Sequence, residues 1–330
     1  MEFKVFYEQD ADLRWIRSQK VAVVGYGSQG HAHALNLKDS EVDVVVGLAK
    51  TSPSRAKAEE AGLCVTTVAE AVAAADLVMM LVPDEVMADV YREEVAPHLR
   101  PGAHLAFAHG FNVHFGKIVP PAGVHTFLVA PKSPGHMVRR QFEAGKGVPC
   151  LVATLGDDAA TLTMALSYAK AIGGTRAGVF QTSFREETES DLFGEQAVLC
   201  GGLSSLVTAG FETLVENGYS PVMAYFECVH ELKLIVDLVY EGGLAAMRRS
   251  ISNTAEYGDY TVGPRVVDAG VRQRMQEVLT RIQSGAFADE WLAEHESGGR
   301  NFKRHRDAAA SHPLEEVGAA LRSRMGLGAR

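Results

Sequence analysis

The chain has 330 residues, 47% hydrophobic and 22% charged; it is long enough for two domains and too apolar for a disordered chain or a fibre. Lys plus Arg number 32 against 41 Asp plus Glu, a net charge of −9. That balance argues against nucleic acid or an anionic membrane as partners, because nothing would offset phosphate repulsion.

Met1 to Val5 carries neither a basic nor an apolar leader segment, so no signal peptide is expected. The longest strongly apolar stretch, Leu77 to Val82, is far short of a membrane span. Cys64, Cys150, Cys200 and Cys228 have no C-x-x-C spacing and each lies in an apolar stretch. They read as small buried thiols in a reducing compartment, and the expected location is cytoplasmic.

Short β-branched runs alternate with helical stretches over the first 180 or so residues. The runs are Val21–Val24, Val42–Val46, Asp76–Val82, Leu105–Phe107, Val124–Ala130 and Cys150–Ala153, with Ala-rich helical segments such as Ser54–Ala61 and Val68–Ala75 between them. Nearly continuous apolar runs belong to strands buried on both faces. The alternation predicts a doubly wound parallel sheet of Rossmann type.

Gly25-Tyr26-Gly27-Ser28-Gln29-Gly30 follows the first of these runs and precedes a helical stretch. In that context G-x-G-x-x-G is a dinucleotide turn. The first Gly makes the turn, the second admits the pyrophosphate, and the third lets helix and strand pack closely. The second run ends at Gly47-Leu48 with no Asp or Glu to accept from a ribose 2′-hydroxyl. The loop that follows carries Lys50, Ser52, Ser54 and Arg55, chemistry suited to a 2′-phosphate and hence to NADPH. Val82-Pro83-Asp84-Glu85-Val86-Met87 opens on the same sheet edge, where it either flanks the dinucleotide or forms a plain turn. His109 and Lys132 come just after two later runs. Both are placed to stabilise charge on a substrate oxygen.

The pattern changes near Thr182. Ser183 and Glu186 form a capping box, and helices are predicted at about 184–217, 221–241, 244–256, 265–283, 286–294 and 313–325, with no strand. The predicted domains are 1–182, α/β, and 183–330, all-α. In the second, Asp191 and Glu195 are four apart, as are Glu227 and Glu231. Each pair shares one helical face about 6 Å apart along the axis, an arrangement that destabilises a helix unless a cation intervenes. The surrounding residues are apolar on most faces, so the helices read as buried, and unpaired buried carboxylates are costly. Carboxylate oxygens without Cys or His partners suit Mg²⁺ or Mn²⁺, and four of them can hold two ions if one bridges. A salt bridge to Lys233 or Arg185 is the simpler account of one pair. Ser252, in the polar stretch Ser250–Tyr260, reads as a helix end.

These stretches together resemble the short class of ketol-acid reductoisomerases over essentially the whole chain. The landmarks are Gly25–Ala34, Phe107–Asn112, Ala130–Lys132, Glu187–Gln196, Phe226–Lys233 and Ser252–Gly258, in that order. The resemblance implies a knotted helical domain that buries much of its surface against a second subunit, hence a homo-oligomer, dimer or higher. It implies Mg²⁺-dependent alkyl migration of 2-acetolactate or 2-aceto-2-hydroxybutyrate, then reduction by NADPH to a 2,3-dihydroxy acid, in branched-chain amino-acid synthesis. By the same resemblance Asp191 bridges two Mg²⁺, Glu195 completes one site, and Glu227 and Glu231 line the other side of the pocket, Glu231 arising from a partner subunit in some members. His109 and Lys132 join the catalytic network, and Ser252 contacts substrate. Tyr26 to Gln29, Ser52, Ser54, Asp84 to Met87 and Gly135 hold the cofactor.

One departure stands out: Ala49 occupies a position where the family often has Arg. Its loss removes a stacking surface for adenine and a phosphate partner. Arg55 is a candidate replacement, and NADH use becomes a live alternative to NADPH. The competing reading of the whole chain is a metal-independent NAD(P)-dependent hydroxy-acid dehydrogenase, which has no need of the four acids. A dinucleotide sensor leaves those acids unexplained.

Overall fold

The structure, a computed structural model, describes residues 4–156 and 158–327. The first three residues, part of the stretch on which the absence of a leader was read, lie outside them. The chain divides into two compact units, Met1–Ser190 and Asp191–Arg330.

The first unit is built on a nine-stranded sheet. Its strands are β1 (Val5–Phe6), β2 (Lys20–Val24), β3 (Asp43–Gly47), β4 (Cys64–Thr66), β5 (Leu77–Met80), β6 (His104–Phe107), β7 (His125–Pro131), β8 (Cys150–Thr154) and β9 (Val179–Gln181). The order is β1-β9-β8-β7-β6-β5-β2-β3-β4. Its helices are α1 (Leu13–Arg17), α2 (Ser28–Asp39), α3 (Ser54–Glu60), α4 (Val68–Ala74), α5 (Asp84–Val90), α6 (Phe111–His114), α7 (Gly135–Glu143) and α8 (Ala159–Ala171). Two apolar layers cover the sheet. One gathers Val21, Val23, Leu37, Met79 and Tyr168; the other gathers Ala22, Val24, Met80, Phe107 and Leu128. Alternate residues of one strand go to opposite layers, as the period of two requires. This is the expected doubly wound Rossmann-type architecture.

The sheet is not wholly parallel, however. The six strands from β4 to β7 run parallel, whereas β8 is antiparallel to β7 and β1 antiparallel to β9. Helix α7 docks on α2, with Arg139 reaching Asn36 Oδ1 at 2.9 Å and Asp39 Oδ2 at 2.7 Å, and the chain then re-enters the sheet at the end it left, pairing Pro131 with Cys150. The apolar spacing of β8 is the same whichever way it runs. The short strands β1, β4 and β9 were too brief to stand out as runs.

The second unit is all-helical among its described residues. Helix α9 (Phe184–Gly194) spans the division between the units. It leads through a wide turn with i→i+5 hydrogen bonding, Glu195–Leu199, into α10 (Gly201–Glu216). Then come α11 (Pro221–Tyr225), a second wide turn at Phe226–His230, α12 (Leu232–Ser250) and α13 (Asn253–Val266). The unit closes with α14 (Ala269–Gln283), α15 (Ala286–Glu296), α16 (Arg300–Ala310) and α17 (Pro313–Arg324). The expected starts at Ser183 and Ser220 hold: Ser183 Oγ accepts from Glu186 N at 3.1 Å, and Ser220 caps α11. Gly243, at φ 75, breaks the helical geometry inside α12 as the Gly-Gly signal implied. The predicted helix 244–256 is corrected to end at Ser250, with Ser252 capping α13, and α16 was not foreseen. A small core packs Phe211, Ala224 and Tyr225 against Leu314, Val317 and Leu321.

Two further expectations are corrected. Only Cys150 is buried; Cys64 and Cys200 are exposed and Cys228 is intermediate, all four being free thiols. The apolar helices of this unit are also not buried in the single chain. Leu199, Met223, Leu234, Tyr240 and Tyr257 are each more than half exposed, because the unit's own small core cannot cover them. The run Phe184–Glu216 is long and apolar enough, by length and composition, to cross a membrane. Interspersed Gly, Ser and Thr hid it from a search for unbroken apolar stretches.

Candidate active site

The glycine turn sits where β2 neighbours both β3 and β5, the point at which strand order reverses and open α/β sheets bind ligands. Its three glycines do different things. Gly25 has φ +106, and a Cβ there would lie 2.5 Å from Leu81 O. Gly30 abuts the turn itself, its Cβ position 2.4 Å from Gly25 O. Over Gly27, the cap of α2, nothing among the described residues lies within 4 Å. The open space is therefore at the middle glycine, where a pyrophosphate would approach the helix N-terminus. Tyr26 Oη and Gln29 Oε1 are buried beside it and have no hydrogen-bond partner among the described residues. Burial also raises the Tyr26 phenol above its ordinary pKa. Two orphaned polar atoms around an open backbone cradle fit a dinucleotide.

Gly135, the first residue of α7, closes the turn from the other side. Its N–H donates to Ser28 Oγ at 3.1 Å, and a Cβ would fall 1.9 Å from Ser28 O. Gln29 Nε2 reaches Ser133 O at 2.9 Å. The structure thus brings Gly135 to Ser28 and places it behind the turn.

The loop after β3 is the basic feature of this edge. Lys50 is exposed, and Ser52 and Ser54 are partly exposed. Arg55 is committed elsewhere: its guanidinium donates to Leu48 O at 3.2 Å, Thr66 O at 3.1 Å and Val65 O at 3.4 Å. It holds the ends of β3 and β4 together, so of the two cations read from the sequence only Lys50 reaches outward.

Asp84 to Met87 form the first turn of α5, not a loop. Glu85 and Val86 are partly exposed, and Met87 packs in the core. Asp84 Oδ2 lies 3.0 Å from His109 Nδ1. Asn112, itself buried, donates to the Asp84 carbonyl at 3.1 Å.

Lys132, at the end of β7, donates from Nζ to Glu187 Oε1 at 3.0 Å, and Gly110 N donates to Glu187 Oε2 at 3.0 Å. Glu187 is 1% exposed and Lys132 about a third. Gly110 has no room for a side chain, with Thr188 Oγ1 2.2 Å from its Cβ position. His109 and Lys132 thus emerge at the carboxyl ends of adjacent parallel strands, each fixed by a carboxylate. Glu187 was missed as a site residue. The signal was present, since it lies four residues before Asp191 and extends the Asp191–Glu195 spacing by one turn.

In the second unit both acid pairs border wide turns. Glu195 opens the first, and Cys200 N bonds back to its carbonyl at 3.0 Å. Glu227 lies in the second and Glu231 directly follows it. Gly201 and Gly202 are needed there, because Cβ atoms would meet Gln196 O at 2.2 Å and Ala197 O at 2.1 Å. Wide turns inside α-helices concentrate at functional sites. Asp191 is partly exposed, and Glu195, Glu227 and Glu231 are exposed in the single chain. Among the described residues, Glu195, Glu227 and Glu231 fall in no group of three potential ligand side chains close enough to share an ion. Ser252 Oγ accepts from Ala255 N at 3.2 Å as the cap of α13.

A doubly wound sheet, a glycine turn shaped for a pyrophosphate and anchored polar residues on the same edge define a nicotinamide-dinucleotide oxidoreductase. Comparison with known proteins narrows the class. The family model described as acetohydroxy acid isomeroreductase, NADPH-binding domain, matches residues 15–178. That of ketol-acid reductoisomerase, C-terminal domain, matches residues 184–326. The chain belongs to the ketol-acid reductoisomerase family. A solved NADH-preferring ketol-acid reductoisomerase from an uncultured archean is 45% identical, covers 98% of this chain and 99% of its own, and superposes with a TM-score of 0.93. An NAD-binding semialdehyde dehydrogenase protein from Cupriavidus necator matches at 17% identity over 81% of this chain and 99% of its own, TM-score 0.63. A pyrroline-5-carboxylate reductase from Streptococcus pyogenes does so at 13% over 81% and 98%, TM-score 0.53. These last two share the fold.

Proposed function

We propose that the protein is a ketol-acid reductoisomerase acting on 2-acetolactate or 2-aceto-2-hydroxybutyrate, with two Mg²⁺ ions and a reduced nicotinamide dinucleotide, in branched-chain amino-acid synthesis. The observation that carries the reading is the pair of anchored residues, His109 and Lys132, on the same sheet edge as a dinucleotide turn, in a chain matched by the family over residues 15–178 and 184–326. Residues 1–182 would hold the dinucleotide and 183–330 would supply the metal ligands.

The donor set suits the ions. Asp191, Glu195, Glu227 and Glu231 offer hard carboxylate oxygens without competing thiolates. Bound Mg²⁺ would polarise the substrate's keto and hydroxyl oxygens. The chain's own contribution begins with Lys132. Its ammonium, held by the buried Glu187, presents fixed positive charge toward an oxygen that gains electron density. His109, held by Asp84, is positioned to take up or return the proton of a substrate hydroxyl. The Ser252 hydroxyl hydrogen remains available to a substrate oxygen while its oxygen caps α13.

Exposed apolar residues on α10 to α13 support a homo-oligomer, dimer or higher, in which a second copy covers them. In that assembly Glu227 and Glu231 of one copy complete the ligand set begun by Asp191 and Glu195 of the other. The same burial removes the reason for a membrane to receive Phe184–Glu216. The net charge of −9 speaks against nucleic acid, and four free thiols suit a cytoplasmic compartment.

For the cofactor, the NADPH expectation weakens. Ala49 provides no guanidinium and Arg55 is bound to backbone carbonyls, leaving Lys50, Ser52 and Ser54 for a 2′-phosphate. The similar archaeal enzyme is described as NADH-preferring. We therefore assign NADH use at least equal to NADPH use.

The deciding experiment follows dinucleotide oxidation with 2-acetolactate, with and without Mg²⁺, in the wild type and in Asp191→Asn. Turnover in chelator, or full activity of Asp191→Asn, favours the hydroxy-acid dehydrogenase reading. A kcat/KM tenfold higher for NADPH than for NADH overturns the cofactor assignment.

A further inference from the structure

Ser252 stands at the corner between α12 and α13, where only Ile251 and Ser252 separate the two helices. Both residues are extended, at φ −99, ψ 173 and φ −68, ψ 151. A two-residue extended link leaves the angle between the helices to contacts made across it. Arg248, in the last turn of α12, makes such a contact: its Nε donates to Asp259 Oδ2 at 2.5 Å, with both side chains about a third exposed. The same guanidinium lies over the Tyr260 ring, 5.0 Å from the centroid. Tyr260 is held in turn, its hydroxyl donating to Glu256 Oε1 at 3.1 Å. Asp259 lies in the middle of α13, too far from the helix N-terminus to act as a cap.

A guanidinium gripped by a carboxylate at its edge and by an aromatic ring on its face has a fixed plane, which a lysine ammonium would not. The stem of Arg248 belongs to α12 and both of its anchors to α13, so the contact sets where the first turn of α13 falls. That turn begins at Ser252, whose Oγ accepts from Ala255 N at 3.2 Å and whose hydroxyl hydrogen is left for a substrate oxygen. We propose that Arg248 and Asp259 are positioning residues for Ser252, a clamp across the corner that holds its hydroxyl where the substrate meets it. A misplacement of about 1 Å at such a contact costs about a hundredfold in rate. An ion pair this exposed adds little to global stability, so its loss is expected to show in alignment and not in unfolding. The proposal rests on Ser252 contacting the substrate of the reaction proposed above, but the hold on the Ser252 cap is readable without turnover.

The test uses the full-length protein in its own assembly. Arg248→Met removes the guanidinium and keeps the stem, and Asp259→Asn removes the charge and keeps the shape. Each is expected to lower kcat/KM for 2-acetolactate at least tenfold, chiefly through KM. The dissociation constants of NADH and NADPH should stay within twofold of the wild type, and the melting temperature within about 3 °C. Arg248→Lys, which keeps a cation opposite Asp259, should fall between Arg248→Met and the wild type. Because the clamp acts through Ser252, adding Arg248→Met to Ser252→Ala should cost no more than twofold beyond Ser252→Ala alone. Losses that multiply in the double variant overturn the proposal, as does a kcat/KM within twofold of the wild type in both single variants. If Arg248→Met melts far below the wild type, Asp259→Asn and Arg248→Lys carry the same comparison. Hydrogen exchange at the Ala255 amide, read by mass spectrometry of fragments, is the second measurement. It should be at least threefold faster in Arg248→Met and Asp259→Asn, and unchanged exchange overturns the clamp. If the wild type fails to turn over 2-acetolactate, the proposed function falls, and the exchange measurement still decides whether the pair holds Ser252.

Discussion

Lys132 Nζ and Glu187 Oε1 are 3.0 Å apart, and the carboxylate is almost wholly withdrawn from solvent while the ammonium is about a third exposed. The second oxygen of Glu187 accepts the Gly110 N–H. One acid thus links α9 to the ends of β6 and β7, and sets the direction from which Lys132 presents its charge.

Glu187→Gln should therefore harm both stability and turnover. Its amide has one acceptor oxygen for two donors, so either Lys132 or Gly110 loses this hydrogen bond. Removing one member of a buried pair costs about 3–5 kcal/mol, and the partial exposure of Lys132 places this case at the low end. Urea denaturation should show the loss, and kcat with 2-acetolactate should fall at least a hundredfold. A variant with wild-type kcat would remove Glu187 from the site.

Two glycines near the turn should respond differently to alanine. At Gly135 the new methyl meets Ser28 O at 1.9 Å, so α7 must shift. Thermal stability and dinucleotide affinity should both drop. At Gly27 there is open space, and φ −81 with ψ −154 is available to alanine. Gly27→Ala should melt within about 2 °C of the wild type, since a surface change is worth about 0.5 kcal/mol or less. It should nevertheless bind NADH and NADPH at least tenfold more weakly. Fluorescence titration alongside thermal melts distinguishes the two; equal affinity in Gly27→Ala would show that the phosphates lie elsewhere.

Restoring arginine at position 49 should raise the NADPH to NADH ratio of kcat/KM. Its guanidinium would join Lys50 at the loop, while Arg55 stays tied to Leu48 and Thr66. Arg55→Ala should instead lower the melting temperature, with little change in that ratio. Steady-state kinetics with both dinucleotides checks the pair, and a large shift in cofactor ratio from Arg55→Ala would contradict the assignment of that residue.

His33 gives the fold a pH dependence. It is fully buried on α2 with Nδ1 2.8 Å from the Tyr168 hydroxyl, and burial lowers its imidazole from 6.5 to about 3. Between those values the unfolded chain holds a proton that the folded chain does not. Stability from neutral His33 is therefore complete above about pH 6.5 and is lost as pH falls toward 3. At pH 5 the loss is about 2 kcal/mol. His33→Gln should be less stable than the wild type at pH 8 and should show a shallower decline from pH 8 to 5. Urea midpoints at the two pH values test the difference in slope.

Much of the molecule was legible in the order of residues. Local rules specify the glycine turn, the strands β2, β3 and β5 to β8, the caps Ser183 and Ser220, and the break at Gly243. Each depends on backbone preference or apolar period within a few residues. Order along the chain could not reveal that β8 runs antiparallel, because the apolar period of a strand is the same in either direction. Nor could it assign Arg55 to the carbonyls of β3 and β4, or Asp84 to His109, since these partners are distant in sequence and meet only when strands align. The helical half shows the same limit. Its apolar pattern reads as buried helices, but a single subunit leaves those faces open, because an apolar pattern marks which face avoids water and not what covers it.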